Sequence, residues 1–333
     1  MRRRSFMGKL LVQGRDAGAV LERVSANRVN GDCGRITYTQ WLNADGLLEA
    51  DLTVTKLDPE RFLVVVSDTM VNHARTWLQR NIPADAHAMV TDVTPGMTQL
   101  NIQGPNSRAL LQALSSVDLG NDAFPFRSAR EIDLGYSQVL CIRITYVGEL
   151  GYELYIPADQ ALHVYETLTE EGRRHGLVHA GLRALSSLRL EKGYRDYGHD
   201  IDNTDNAFET GLGFAVAIDK AGGFIGREAA VEQKAGAPWS RRLVQVLVDD
   251  PEPMLWHGEV IRRDGVAVGY VRAGSYGHTL GGAVGLAMIE PGEPVTADYL
   301  ASGDWQIDIA GTLFPCSCSL RPLYDPDMQR VRA

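Results

Sequence analysis

Three observations predict an α+β chain organised in three lobes, the last a small antiparallel β-barrel or jelly roll. At 333 residues the chain is long for one compact core. Its first two thirds interleave apolar strands with amphipathic helices, the pattern of helices packed on one face of a sheet. From residue 214 onward, short alternating strands are divided by Gly, Pro and Asp turns, as in small barrels. The lobes are expected at residues 1–92, 93–213 and 214–333.

In the first lobe, Lys9–Gln13 reads as a strand. A helix follows whose apolar positions are Ala17, Val20, Leu21 and Val24. Residues 35–42 and 47–57 are strands joined by the turn signal Asn43-Ala44-Asp45-Gly46. Residues 62–67 form a mostly buried strand. Ser67-Asp68-Thr69 then offers an N-cap to a helix with Val71, Ala74, Trp77 and Leu78 inward. In the second lobe, Gly104-Pro105-Asn106-Ser107 opens a helix with Leu110, Leu111 and Leu114 as its stripe. Residues 130–134 and 139–146 are strands. Asp159 is expected to cap a helix carrying Leu162, Val164, Tyr165 and Leu168, and a further helix through Leu185 and Leu188 stops at Gly193. The third lobe has strands at residues 242–248, 259–262, 267–273, 285–288 and 306–309. No fixed-period repeat is apparent.

Composition removes several functional classes. The net charge of −9 argues against nucleic-acid binding. No apolar run approaches the length of a membrane span, and the short basic start lacks the features of a signal or transit peptide, so a cytoplasmic location is expected. The four cysteines form no Cys-x-x-Cys pair; Cys316 and Cys318 share a strand face, and reduced thiols are the expectation. The scattered histidines give no metal signature. The absence of Gly-x-Gly-x-x-Gly after a strand and of a Walker loop leaves no Rossmann or P-loop nucleotide site.

The densest candidate site lies in Thr145–Tyr155, where two glycines, two carboxylates and three tyrosines fall within eleven residues. Glu153 sits inside an apolar, aromatic strand and needs a partner. Water serves if that face is exposed; a ligand with adjacent N–H donors serves if it lines a pocket. Tyr146 offers a ring for stacking, and Glu149 reads as structural. On the strand around Asp51, period-2 alternation puts Leu48, Ala50, Leu52 and Val54 on one face, and Glu49, Asp51, Thr53 and Thr55 on the other. Alone, such a polar face is solvated, and Tyr38 on the preceding strand is a cross-strand packing residue. Arg189 and Glu191 flank a leucine stripe as structural charges, and Arg227 caps a short helix.

These stretches together carry a resemblance. Thr145–Tyr155 is similar to the Gly-Tyr-Thr-Gly-Glu-x-Gly-Tyr-Glu segment of the glycine-cleavage T-protein (aminomethyltransferase) family, and closer still to the tetrahydrofolate domain of dimethylglycine and sarcosine dehydrogenases. Further matches run in order: Tyr38-Thr39-Gln40-Trp41-Leu42-Asn43, Glu49–Val54, Gln103-Gly104-Pro105, Ser187–Gly193, Tyr197-Gly198-His199-Asp200, Gly211-Leu212-Gly213-Phe214, Phe224–Ala229 and Gly277–Gly281. The resemblance implies the three-lobed aminomethyltransferase-like folate-binding fold, with tetrahydrofolate as cofactor. Asp51 aligns with the acidic residue beside the reacting end of folate, where a carboxylate orders the amine nucleophile and favours a cationic iminium donor. Thr53 and Thr55 share its face. Tyr38, Tyr146 and Glu153 match folate-contacting positions, Glu153 accepting from the pterin edge. Arg227 is a candidate for the glutamate tail.

The implied function is tetrahydrofolate-dependent one-carbon transfer in demethylation of a dimethylglycine- or sarcosine-like amine. A separate flavoprotein dehydrogenase subunit is the expected partner. Alternatives are an O-, N- or S-demethylase forming 5-methyltetrahydrofolate, glycine-cleavage aminomethyltransferase activity with a lipoyl carrier, and a non-catalytic folate-binding subunit. Two departures stand out. Leu185 and Ser186 occupy positions where T-proteins carry an Arg-Asp pair, and Ala50 stands where they carry a second aspartate. In the family several dozen residues precede the first strand; their absence here is expected to leave an apolar patch for self-association or a partner, while a start placed too far downstream would give the same sequence.

Overall fold

The computed structural model describes residues 1–3 and 7–333. Five antiparallel strands form a first sheet in the order Arg35–Leu42, Leu48–Asp58, Arg61–Val66, Gly8–Gln13 and Met89–Asp92. Helices Ala17–Val24 and Val71–Asn81 cover one face, burying Leu21, Val24, Ala74 and Leu78 against Leu10, Val12, Leu52 and Val64. A second sheet runs Arg2–Arg3, Met97–Gln103, Gly151–Pro157, Ser137–Ile142 and Ala129–Leu134. Helices Ser107–Leu114 and Ala161–Gly172 cover its outer face. The two uncovered faces meet through Ile36, Leu63 and Val65 on one side and Ala129, Ile142 and Tyr155 on the other. Helices thus lie outside and sheets inside.

A duplication underlies this arrangement, contrary to the expectation of no repeat. Strand Gly8–Gln13, a left-handed glycine (Gly14, φ 127°) and helix Ala17–Val24 recur 90 residues later as Met97–Gln103, Gly104 (φ 117°) and Ser107–Leu114. Strand Arg61–Val66 and helix Val71–Asn81 recur at the same offset in Gly151–Pro157 and Ala161–Gly172. A Cβ at Gly14 would lie 2.2 Å from the His87 carbonyl oxygen, so glycine is required there. The sequence identity between the halves is thin outside Gln13-Gly14 and Gln103-Gly104, which hides the period.

The third part is a closed antiparallel barrel of strands Arg242–Val248, Gly282–Ile289, Val266–Gly277, Val260–Arg263, Trp305–Ile309 and Thr312–Ser319. Helix Leu182–Glu191 and the long connection after it join the barrel to the first sheet through a shared core containing Leu42, Leu48, Leu190, Ile201, Phe208, Leu212, Leu243 and Leu286. Buried ion pairs hold that connection. Arg189 meets Asp200 at 2.9 Å, and Asp205 takes Arg241 at 2.6 Å and Arg272 at 2.5 Å.

Local differences from expectation have physical causes. The strand expected to reach residue 146 ends at Ile142, because Arg143 turns to donate to the Phe124 carbonyl at 2.8 Å and Gly148 adopts φ 76°. The expected cap Ser67 instead leads into the 3-10 turn Asp68–Met70 without a side-chain cap bond, and Asp159 lies inside the 3-10 turn Ala158–Gln160. Strands Met89–Asp92, Met97–Gln103 and Thr312–Ser319 were not foreseen. Among the described residues no helix is long and apolar enough to cross a membrane.

Candidate functional site

Asp51 projects from the middle of strand Leu48–Asp58, whose alternate residues Ala50, Leu52 and Val54 are buried against the helices. Register fixes its neighbours. Gln40 lies opposite Asp51 and Tyr38 opposite Thr53, so both share the Asp51 face. Gln40 Nε2 donates to Asp51 Oδ1 at 2.9 Å, and the Tyr38 hydroxyl also bonds the carboxylate. Burial strips Asp51 of water and pushes its pKa up to about 6, against the pull of these two hydrogen bonds; Asp196 adds to the rise and Arg195 opposes it. Burial and the Asp51 charge hold Tyr38 well above the usual phenol range, so its hydroxyl remains a donor. Thr53 is half-buried. Thr55 is buried, and its Oγ1, like Gln40 Oε1, has no partner among the described residues. Glu49, expected on this face, pairs instead with His73 at 2.8 Å; it lies beside the register shift between Trp41 and Leu42.

Tyr146 reaches this cluster from the loop that follows Ile142. Its hydroxyl donates to the Arg195 carbonyl and its ring stacks on Tyr194, centroids 5.9 Å apart and planes at 11°. Arg195 is a cation whose charge acts on the Asp51 carboxylate. Its guanidinium donates to the carbonyls of Thr210 (2.9 Å) and Gly193 (2.6 Å), and its charge acts on Tyr38, Asp51 and Tyr146. Burial lowers its pKa, while those neighbours raise it. Gly211 (φ 75°) makes room, since a Cβ there would stand 2.5 Å from Arg195 Nη2. Beneath lies Asp200, fully buried and held by Arg189 and by the amide of Asp196 at 3.0 Å. Phe214 closes the cluster. It is 67% exposed, yet one ring face stacks on Tyr38 at 6.0 Å.

The structure therefore gathers Tyr38, Asp51, Thr53 and Tyr146 around one carboxylate. Glu153 occupies a neighbouring polar cluster on the inner face of the second sheet. Asn101 Nδ2 donates to its Oε1 at 3.2 Å and Tyr155 Oη to its Oε2 at 2.7 Å. Lys9, fully buried, lies within the field of Glu153. Burial brings the Lys9 ammonium down to about 8, against the attraction of Glu153 and Asp92. Arg227 opens helix Arg227–Ala235 and donates to the Ile218 carbonyl at 2.9 Å, a bracing role within the connection to the barrel.

Three residues of the cluster were not singled out from sequence. Gln40 could have been, because it lies two positions from Tyr38 and period-2 alternation puts both on one face. Phe214 stood inside a matched glycine-rich motif. Arg195 had no signal, since its place follows from the long-range packing of the connection after helix Leu182–Glu191.

With this geometry in hand, comparison with known proteins is direct. The GCVT N-terminal domain matches residues 4–220, and the glycine cleavage T-protein C-terminal barrel domain matches residues 241–325. The chain belongs to the glycine-cleavage T-protein family. An aminomethyltransferase of Halothermothrix orenii is 36% identical over 88% of this chain and 82% of its own length. The formaldehyde-forming 4-methylaminobutanoate oxidase of Paenarthrobacter nicotinovorans is 38% identical over 98% of this chain, and the mitochondrial sarcosine dehydrogenase of Mus musculus 33% over 98%. The chain spans 39% and 37% of those two relatives' lengths. The aminomethyltransferase T structure from Bartonella henselae superposes with a TM-score of 0.84, at 24% identity, over 98% of this chain and 86% of that one; it shares the fold.

Proposed function

We propose that this T-protein family chain captures on tetrahydrofolate the one-carbon unit released when a methylated amine is oxidised. One observation carries the reading. A carboxylate, Asp51, is held by Gln40 and Tyr38 in a largely dehydrated site with a pKa near 6, flanked by the Tyr146 ring and the Arg195 cation. Perturbed carboxylates of this kind mark reaction centres. The names of the long relatives, oxidases and dehydrogenases of methylated amines, support the choice of substrate class.

The residues suit a folate. Gln40 Oε1 and Thr55 Oγ1 are buried acceptors without partners on the Asp51 face, and a pterin-type ring edge is rich in N–H donors. Bound tetrahydrofolate would supply the amine nitrogens that take up the carbon. Tyr38, Tyr146 and Glu153 would hold the ring system. At neutral pH Asp51 is ionised, so it can accept a proton from an attacking amine and favour a cationic donor electrostatically. Tyr38 and Gln40 keep the carboxylate in one orientation, and low water content strengthens its field. The oxidation itself would belong to a flavoprotein partner acting on a dimethylglycine- or sarcosine-like amine.

The test is single-turnover formation of 5,10-methylenetetrahydrofolate by the purified chain, given tetrahydrofolate and either formaldehyde or a methylated amine with a flavoprotein dehydrogenase. Acceleration over the uncatalysed condensation supports the reading. Folate binding without acceleration would make the chain a folate-binding subunit, and 5-methyltetrahydrofolate as product would make it a demethylase.

A further inference from the structure

The outer face of the second lobe carries apolar and aromatic side chains that its own duplicate does without. On helix Ala161–Gly172, Val164 and Leu168 are buried in the lobe core, as Ala74 and Leu78 are on helix Val71–Asn81 ninety residues earlier. The outward positions differ. Leu162, 66% exposed, and Tyr165 stand where the first half has Asn72 and Arg75. Packing this helix on its sheet therefore does not require them. Exposed Val178 adjoins them through His179, whose ring stacks on Tyr165 at 5.7 Å. Tyr136, 76% exposed, lies on His163 with centroids 3.6 Å apart and planes at 15°. Gly135 (φ 63°) permits that stack, since a Cβ there would stand 2.1 Å from His163 Nε2. Apolar patches of this kind mark surfaces that another body covers.

Charge and the course of the chain say which body. The helix has three glutamates and no lysine or arginine, whereas its duplicate has two arginines and no acid. Glu171 pairs with Arg174 and His175, but Glu166 and Glu170 form no ion pair among the described residues. A second copy of this face would set glutamate against glutamate, on a chain whose net charge is already −9. The fitting occupant is a different protein, apolar at its centre and basic at its rim. In the oxidase and the sarcosine dehydrogenase named above, this chain matches 39% and 37% of the length, and the remaining sequence leaves the matched part at its ends. Both ends lie on this lobe. The Met1 amino group donates to the Val178 carbonyl at 2.8 Å. The Ala333 carbonyl accepts at 2.6 Å from Arg108 Nη2, at the start of the helix packed beside Ala161–Gly172. The rest of such a relative therefore emerges beside the patch.

We propose that this face of the second lobe docks the flavoprotein that oxidises the methylated amine, with Tyr136, Leu162 and Tyr165 at the centre of the contact and Glu166 and Glu170 at its rim. The assignment rests on the function proposed above. It supplies between two chains the junction that a fused relative has within one.

Photo-cross-linking, followed by binding of the captured protein, tests this on the full chain. p-Benzoylphenylalanine is placed at position 162, and at position 72 as the internal control, and each protein is irradiated in an extract of its cells of origin. Position 162 is expected to capture a flavin-binding dehydrogenase, identified by mass spectrometry, and position 72 is not. That dehydrogenase, purified with its flavin, is then mixed with the chain in sedimentation velocity. Leu162→Glu should weaken association at least about tenfold, and Glu166→Lys by less, in a difference that shrinks with added salt. Both substitutions are at exposed positions, so both variants should melt and bind tetrahydrofolate like the parent. Capture of a second copy of this chain, equal capture from position 72, capture of no flavoprotein, or a flavoprotein whose affinity ignores Leu162→Glu each overturns the assignment. None of these outcomes touches the folate reading, which is tested separately by tetrahydrofolate binding and methylene transfer in the unmodified chain.

Discussion

Replacing Asp51 by Asn separates chemistry from binding and from stability. The amide keeps the side chain's shape. Its Oδ1 can still accept from Gln40 Nε2, now 2.9 Å from Asp51 Oδ1, and its Nδ2 can donate to the Tyr38 oxygen. What vanishes is the charge. Loss of a proton acceptor and of preorganised negative charge should slow methylene transfer by about two to four powers of ten, or about 3–5 kcal/mol of barrier, with folate affinity near that of the parent. The pH profile sharpens the test. With a pKa of about 6, the parent's transfer rate should be half-maximal near pH 6 and fall about tenfold per unit below it, whereas Asp51→Asn should be flat there. Stability moves oppositely. The folded-state pKa is raised from 3.8, so the proton is bound more tightly in the folded chain; the stability this contributes is present below pH 4 and lost as pH rises through 6. At pH 8 the ionised carboxylate costs the fold at most about 3 kcal/mol, less after allowance for its partial exposure. Asp51→Asn should therefore melt higher than the parent at pH 8 and equally at pH 4, by scanning calorimetry. A variant that turns over like the parent, with the same pH profile, would return Asp51 to the status of a strand residue facing water.

Three other perturbations follow. Glu153→Gln preserves packing and one acceptor beside Asn101 and Tyr155, yet should weaken tetrahydrofolate binding at least tenfold in a titration, the equivalent of about 1.5–3 kcal/mol for a charge-assisted bond; unchanged affinity would remove Glu153 from the folate site. Gly211→Ala would force a Cβ within 2.5 Å of Arg195 Nη2 at a backbone φ of 75°, so transfer and thermal stability should both fall, whereas a parent-like melting temperature would mean that Arg195 is free to move. Asp200→Ala should leave the buried Arg189 uncompensated and cost about 3–5 kcal/mol by denaturant titration, far more than removal of the exposed pair Arg321–Asp327 through Asp327→Ala.

What could be read from sequence divides along the range of the forces involved. Strand alternation around Asp51 and the leucine stripe of helix Ser107–Leu114 are local, with periods of 2 and 3.6 residues, and both elements stand where their patterns put them. The barrel's character was legible from turn spacing, but its closing strand Thr312–Ser319 was not, because Pro315 and two cysteines break the usual strand signal. The duplication escaped for a different reason. Two halves that bury equivalent faces need equivalent hydrophobic patterns, not equivalent residues, and only the glycines at the strand–helix turns are held to one identity by their backbone angles.

The site shows the same division more sharply. Asp51, Tyr38 and Gln40 lie on two paired strands, so their meeting follows from register alone. Arg195 meets them only because the connection from Gly193 to Thr210 folds back on itself, pinned by Arg189–Asp200 and by the two arginines on Asp205. Of these residues, Arg189 was read from sequence as a structural charge, and in its pair with Asp200 it is one. The consequence of these ion pairs is chemical, since the Arg195 cation and the Asp196 carboxylate act on Asp51 with opposite sign. Burial and the Tyr38 and Gln40 hydrogen bonds dominate the pKa of the central carboxylate, and a loop whose own shape depends on charges buried elsewhere adjusts it; under the proposed function Asp200 and Gly211 would be positioning residues that do not touch the reacting atoms.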